Sequence, residues 1–246
     1  MSRKAERQAK DAHQAAPPQE LRERLGIDID LEALSHALTH RSYAHENPGL
    51  ADNERLEFLG DAVLEYVVTG HLYRRYPDTS EGDLVRLRAA IVSTKALANV
   101  ARKIGLGTYI LLGHGELMSN GRQKDSILAD TMEAIFGVVY IQAGIEAAEN
   151  LITEHVVALL DDSEAMLNAY DWKTLIQEYV HANQHQHHEY QIVGEGPDHN
   201  RVFTATLYID GKPYGQGTAT SKRESEKRAA HESWKQLQPG VTPPHA

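Results

Sequence analysis

The spacing of apolar residues changes once along the 246-residue chain, near Asp171. Before that point, apolar residues recur three and four apart, as in GDAVLEYVVTGHLYRRY and ADTMEAIFGVVYIQAG, which is the spacing of amphipathic helices. After it, segments such as RVFTATLYID alternate apolar and polar residues, as strands do. The sequence therefore predicts two domains, an all-α domain followed by an α+β domain.

The second domain is predicted to have the order α-β-β-β-α. Asp171 is placed to N-cap its first helix, Asp210-Gly211 to join the second and third strands as a tight hairpin, and Ser221 to cap its last helix. A polar, acidic stretch separates the two domains. The predicted segments are a disordered polar tail (1–20), the all-α domain (21–160), a linker (161–170), the α+β domain (171–238) and a disordered tail (239–246).

Composition limits the partners that the chain can bind. Twenty-five Lys and Arg against 35 Asp and Glu give a net charge of −10, so a polyanion must be met by local basic patches or bound cations. The absence of cysteine excludes disulfides and thiolate metal sites, which leaves oxygen and imidazole ligands. The first 20 residues lack the apolar run of a signal peptide, and we expect no membrane span. We therefore expect a cytoplasmic protein with no membrane partner.

Carboxylates are concentrated in two of the apolar helical segments. NERLEFLGDAVL (53–64) places Glu54, Glu57 and Asp61 along one helical strip, and ADTMEA places Asp130 and Glu133 three residues apart. If the two helices pack side by side, the last four of these carboxylates can converge. An all-oxygen cluster of this kind suits a hard cation, above all Mg²⁺.

Spacing alone leaves other interpretations of these carboxylates open. Acidic residues on an amphipathic helix are most often its solvated face, and Asn53 could N-cap a helix that has Glu54 in its first turn. The apolar surroundings of both pairs, and the small residues that follow each pair, favour a metal site without deciding for it.

The segment NERLEFLGDAVL resembles the signature of bacterial ribonuclease III, a family of double-stranded-RNA endonucleases. ADTMEAIFGVVY resembles the second acidic motif of that family, and the match extends to LTHRSYAHEN (38–47) and YPDTSEGDLVRLRAAIVS (76–93). The α-β-β-β-α module resembles the double-stranded-RNA-binding domain that follows the nuclease domain in this family. The resemblance spans residues 21–238 and implies an all-α endonuclease domain followed by that RNA-binding domain.

The resemblance also implies the reaction and its residues. It implies Mg²⁺-dependent hydrolysis of double-stranded RNA, with Mn²⁺ as a substitute, by a homodimer that leaves 5′-phosphate and 3′-hydroxyl ends with short 3′ overhangs, in the processing of rRNA precursors. In the nuclease domain it implies four metal ligands: Glu57, Asp61, Asp130 and Glu133. Two of them, Asp61 and Glu133, are also implied to be catalytic. Further implied positions are Glu54 and Glu81 as secondary residues of the cleft and Phe58 in the dimer interface. A solvated Glu54 or a core Phe58 would give the same sequence.

The second domain is expected to read RNA by shape, through 2′-hydroxyl groups in the minor grooves and phosphates between them. The resemblance places Gln177, Glu178 and His199 in minor-groove contact, and Lys222 and Arg223 at phosphates. Residues 171–238 hold eight Lys and Arg against nine Asp and Glu, with Glu226 inside the basic run. We therefore expect weak RNA binding with a shallow dependence on salt.

Several other residues have competing interpretations. HANQHQHH (181–188) is either a metal site or, as we favour, a solvated loop, and His36 and His40 are expected to be structural. Arg122 and Lys124 are candidate phosphate contacts.

Two alternative functions are a non-catalytic double-stranded-RNA-binding protein and a helical phosphohydrolase of small phosphates. The four intact carboxylates argue against the first, and the RNA-binding module argues against the second.

Overall fold

The structure is a computed structural model that describes residues 15–161, 171–197 and 200–237. Its contacts divide the chain into two compact units, one formed by residues up to 75 together with 88–160, and the other by residues 76–87 together with those from 161 onward. The predicted nuclease domain, 21–160, includes the segment 76–87 that groups with the second unit. The linker residues 162–170 and the C-terminal tail lie outside the described residues.

The first unit is built from helices, as the sequence predicts. In chain order the helices are α1 (Pro18–Leu25), α2 (Leu31–Ala37), α3 (Arg41–Glu46), α4 (Glu54–Arg75), α5 (Glu81–Val92, whose first part groups with the second unit), α6 (Thr94–Lys103), α7 (His114–Met118) and α8 (Asp125–His155), with 3₁₀ turns at Leu106–Thr108, Gly121–Gln123 and Val157–Asp161. Helix α1 begins inside the predicted 1–20 tail, and its Leu21 is fully buried.

Helices α4 and α8 form the centre of this unit. Both bury long apolar faces, and Leu64 of α4 and Phe136 of α8 have no exposed surface. The two backbones approach closely at a pair of glycines: a Cβ on Gly137 would lie 2.3 Å from the carbonyl oxygen of Leu56. Since no side chain separates the helices there, residues on their adjoining edges come within reach of one another.

Helix α8 is interrupted by Gly144, whose φ of 85° and ψ of 179° are not helical. The sequence predicts a new helix from about this residue. By length and apolar composition alone residues 125–160 could cross a membrane, a property that the sequence analysis did not anticipate. However, 61% of its most apolar window is buried inside the unit, as in the core helix of a soluble protein.

The second unit contains the predicted α-β-β-β-α order. Its elements are α9 (Trp172–Ala182), β1 (His188–Glu195), β2 (Val202–Ile209), β3 (Lys212–Ala219) and α10 (Lys222–Leu237), and the antiparallel sheet has the order β1-β2-β3. Asp210 and Gly211 turn between β2 and β3 with φ of 49° and 79°. Asp171 accepts a hydrogen bond from the Thr174 amide, and Ser221 accepts one from the Glu224 amide, which confirms both predicted caps.

Candidate metal centre and RNA-binding surface

Three carboxylates from α4 and α8 meet at the edge where the two helices touch. Oxygen atoms of Glu57, Asp130 and Glu133 all lie within 4.8 Å of one another, and all three side chains are half-buried. In the part of the chain that the structure describes, this is the one group of three acidic or imidazole side chains that could hold a metal ion. We call it the acidic trio.

Two further predicted carboxylates, Asp61 and Glu54, lie near the acidic trio without joining it. Asp61 is exposed on the next turn of α4, outside the trio, although its charge acts on Glu133. Glu54 is also exposed and pairs with Arg41, with 3.2 Å between Oε1 and Nη1. The structure therefore brings together three of the four predicted ligands and leaves Asp61 at the margin.

Burial and mutual repulsion raise the pKa values of the three carboxyl groups in the trio. Burial, followed by the charges of Asp61, Asp130 and Glu57, raises the pKa of Glu133 to about 8. Burial is also the main cause that raises the pKa values of Glu57 and Asp130, while the positive charge of Arg41 acts in the opposite direction on both. Without a cation, the trio therefore retains a proton near neutral pH.

A hard divalent cation fits this arrangement. The donors are all carboxylate oxygens. Mg²⁺ and Mn²⁺ prefer oxygen ligands, whereas softer metals prefer nitrogen or sulfur ligands. Octahedral Mg²⁺ binds oxygen at about 2.1 Å, so its ligand atoms stand about 3 to 4 Å apart, which lies within the 4.8 Å limit on the oxygen atoms of the trio. A bound cation would replace the proton on Glu133 and remove the repulsion.

Asn53 stands at the N-cap position of α4, where its backbone carbonyl oxygen accepts from the Glu57 amide at 2.9 Å. Its side chain is buried, and Nδ2 donates to the Ala37 carbonyl oxygen at 3.0 Å. The Glu54 amide donates to Asp52 Oδ1 at 3.2 Å, so Asp52 provides the side-chain acceptor at this end. Asn53 thus ties the start of α4 to α2.

The predicted RNA contacts of the second unit are exposed where they are described. Gln177 and Glu178 lie on the solvent side of α9, and Lys222 and Arg223 begin α10. His199 lies outside the described residues. Glu226, in the same basic run, is half-buried and pairs with Lys173 of α9 at 2.7 Å.

Known protein families match both the helical part of the chain and the α-β-β-β-α part. The sequence model of a family described as Ribonuclease-III-like matches residues 30–160, and that of the double-stranded RNA binding motif matches residues 172–237. Ribonuclease 3 of Thermobifida fusca is 47% identical over 222 residues, covering 90% of this chain and 92% of that protein. Ribonuclease 3 of Mycobacterium tuberculosis H37Rv is 48% identical, covering 89% and 93%.

The chain belongs to the bacterial ribonuclease III family. A crystal structure of the ribonuclease III nuclease domain from Campylobacter jejuni is 41% identical, with a TM-score of 0.51, and covers 55% of this chain and 93% of that one. This ribonuclease III is therefore an endoribonuclease of double-stranded RNA, with a helical nuclease domain and an RNA-binding domain. Neither a non-catalytic RNA-binding protein nor a small-phosphate hydrolase accounts for these matches.

Two further predicted residues of this ribonuclease III, Phe58 and Glu81, are exposed. Phe58 is 80% exposed, which excludes the alternative that it is a core residue of this chain. Glu81 is exposed in the first turn of α5, within the segment 76–87 that groups with the second unit. Neither side chain belongs to the acidic trio.

The histidines and Arg122 of this ribonuclease III have structural contacts. His36 Nε2 lies 2.7 Å from the Asp52 carbonyl oxygen, and His40 Nδ1 accepts from the Ser42 amide. His185 pairs with Asp210, and the histidines of 181–188 form no group with the spacing of the trio. Arg122 Nη1 donates to three backbone carbonyl groups, at 2.8 to 3.1 Å, so this side chain holds a loop.

Sequence reasoning did not single out Glu65. This residue continues the acidic strip four residues after Asp61, helps to raise the pKa of Glu133, and pairs with Arg88 at 2.8 Å. The signal was present in the spacing, since positions 61 and 65 are neighbours on one helical face. Its partner in α5 could be identified only from the fold.

Proposed function

We propose that this ribonuclease III hydrolyses double-stranded RNA with Mg²⁺ held by Glu57, Asp130 and Glu133, and with Asp61 as a fourth ligand, directly or through water. Mn²⁺ can take the same place. The observation that carries the proposal is the trio itself: three half-buried carboxylates whose oxygen atoms all lie within 4.8 Å of one another.

The residues of the trio have different roles in binding the divalent ion. When bound, the divalent ion lowers the pKa of a water molecule and stabilises charge on the phosphate and on the leaving oxygen. Glu133 would give up its proton to become a ligand of the cation, and Glu57 and Asp130 would hold the cation with it. Asp61, exposed beside them, adds negative charge and, with Glu133, is a catalytic residue.

A homodimer would explain the form of the products. Two centres along one duplex would each cut one strand and leave 5′-phosphate and 3′-hydroxyl ends with short 3′ overhangs. An apolar stripe on α4 supports dimerisation, because Phe58, Tyr66 and Tyr73 recur at two-turn intervals and are 70 to 80% exposed. One crystal structure of the Campylobacter jejuni domain is described as showing flexibility in a region involved in dimer formation.

The RNA-binding domain would hold the duplex by its shape. Gln177, Glu178 and His199 would contact minor grooves, and Lys222 and Arg223 would contact phosphates. Glu54 and Glu81 are assigned secondary roles around the cleft. We place this activity in the cytoplasm, on precursors of rRNA and other structured transcripts.

Cleavage of a long duplex RNA by the purified full chain tests the proposal. We expect cleavage in Mg²⁺ or Mn²⁺, none in EDTA, and loss of cleavage with retained duplex binding for Glu133→Gln. End-labelling of the fragments reads the terminal groups and the overhang. Duplex binding without cation-dependent cleavage by the wild-type chain would overturn it.

A further inference from the structure

A cavity of about 330 Å³ adjoins the acidic trio and has a mixed lining. Glu57 and Asp130 line it together with two cationic side chains, Arg41 and Lys124. The sequence resemblance gave no role to Arg41, and the hydrolysis proposed above does not use either cation.

Two cations beside a divalent-metal site oppose the binding of the metal. Their positive charge repels the ion that the trio attracts, so in the absence of RNA they lower its affinity. The repulsion is removed when an anion binds among the three positive centres. A phosphate group of the substrate strand is the anion that the proposed reaction brings to this cavity.

Both cations are held at the cavity by ion pairs, and the pair of Arg41 is exposed whereas that of Lys124 is half-buried. Arg41 pairs with Glu54 at 3.2 Å, and the two side chains are 70% and 53% exposed. Lys124 Nζ lies 2.6 Å from Glu116 and donates to Ser119 Oγ at 2.9 Å. The exposed pair of Arg41 contributes little to stability, so a phosphate group can compete for that cation. Lys124 Nζ has a third N–H donor beyond its two partners, which a phosphate oxygen can accept.

The start of α8 adds to the positive potential of the same cavity. Lys124 is the N-cap residue of α8 and provides no side-chain cap, and first-turn residues Ser126 and Ile127 line the cavity. The amide groups of a helix N-terminus carry partial positive charge, which favours a phosphate.

We infer that Arg41 and Lys124 bind a phosphate group of the RNA strand next to the phosphodiester that is cut, and thereby position that strand against the acidic trio. The inference rests on the proposed function. The guanidinium of Arg41 can form two parallel hydrogen bonds with one phosphate, whereas Lys124 supplies a point charge.

The test compares Arg41→Gln and Lys124→Gln with Arg74→Gln in the full chain. Arg74 is a matched control, because it forms an equally exposed 3.3 Å pair with Glu149 and does not line the cavity. Three quantities are measured: Mn²⁺ affinity without RNA, duplex RNA binding in Ca²⁺, and kcat/KM in Mg²⁺.

The two cavity variants should move metal affinity and cleavage in opposite directions. We expect Mn²⁺ to bind several-fold more tightly, because a repelling charge is gone, and kcat/KM to fall about tenfold or more, because a charge-assisted hydrogen bond is lost. Arg41→Lys should keep the Mn²⁺ affinity of the wild type and recover part of kcat/KM. Arg74→Gln should change neither quantity.

Two results would overturn the inference. One is cleavage by both cavity variants at the level of Arg74→Gln, and the other is a joint fall in Mn²⁺ affinity and cleavage, which indicates only a structural role. If the wild-type chain fails to cleave, the proposed function fails separately. The phosphate site is then decided by Ca²⁺-dependent duplex binding, which Arg41→Gln must weaken relative to Arg74→Gln.

Discussion

The α-carbon of Gly60 lies directly against the carbonyl group of Glu133, so that a Cβ on Gly60 would stand 1.7 Å from the carbonyl oxygen. Gly137 has the reciprocal relationship with Leu56 on the other helix. Glu57 lies one turn before Gly60, and Glu133 one turn before Gly137. The meeting of carboxylates from α4 and α8 therefore depends on two positions without side chains.

Replacing Gly60 with alanine should separate α4 from α8. Alanine favours an isolated helix over glycine by about 1 kcal/mol, yet here its methyl group must displace backbone rather than a flexible side chain. We expect the free energy of unfolding to fall by about 3 kcal/mol or more and the Mn²⁺ affinity to fall with it. Urea unfolding followed by circular dichroism, together with metal titration, measures both.

Gly70→Ala is the matched control within α4. The nearest atom to a Cβ at this position is Nη1 of Arg74 at 3.4 Å, which can move. Here the helical preference of alanine should dominate, with stability unchanged or raised by up to about 1 kcal/mol. Equal stability of the two variants would contradict the close-contact explanation.

The sequence predicts the fold because most of its signals are local. Helical spacing, the Asp171 and Ser221 caps and the Asp210-Gly211 turn each depend on neighbours in the chain, and the structure contains all of them. The two acidic pairs are local signals as well. Their convergence requires the packing of distant helices, which the family resemblance supplied.

The rest of the candidate site depends on contacts between segments that are far apart in sequence. Asn53 has the residue type and position of a helix cap, but its side-chain Nδ2 also donates to the carbonyl group of Ala37, 16 residues earlier in the chain. Arg122 has the charge of a phosphate contact, but three backbone carbonyl groups surround it. No spacing rule predicts these partners, because neither residue type determines which distant backbone will approach it.

The stability of the metal-free nuclease domain should fall as pH rises. The pKa of Glu133 is about 8 in the folded protein, against 4.5 for an ordinary glutamate, so between these values the folded state holds a proton that the unfolded chain has released. Raising the pH through this window therefore favours unfolding. The full shift corresponds to about 5 kcal/mol, and because solvent screens this half-buried group we expect about 2 kcal/mol of it. Urea unfolding in EDTA at pH 5 and pH 8.5 measures the difference.

Glu133→Gln provides the control for this pH dependence, because glutamine does not titrate. The variant should lose most of the fall in stability between pH 5 and pH 8.5, and Mg²⁺ should stabilise the wild type more at the higher pH than at the lower. A fall of equal size in both proteins would assign the effect to other groups.

Substitution of Phe58 by aspartate should give a monomer that still folds. The ring is 80% exposed in the single chain, so a carboxylate there costs little within the domain, whereas burying it in a subunit interface would be unfavourable. Sedimentation velocity measures the oligomeric state, and circular dichroism checks the fold. Met118→Asp, at an equally apolar position that is 67% exposed on α7, should leave the oligomeric state unchanged.

Glu226 should limit the affinity of the RNA-binding domain for duplex RNA. It lies one turn after Lys222 on α10 and neutralises Lys173 across a 2.7 Å ion pair, so the basic run presents less positive charge than its length suggests. Replacing Glu226 with glutamine removes this negative charge and releases Lys173. Duplex affinity at low salt should rise several-fold, and the slope of log affinity against log salt should steepen by up to about one unit.

Glu232→Gln, which breaks the exposed pair with Lys235 near the other end of the same helix, changes net charge equally and should have a much smaller effect. Equal effects of the two substitutions would show that net charge, and not the position of Glu226 beside the phosphate-binding residues, sets the affinity.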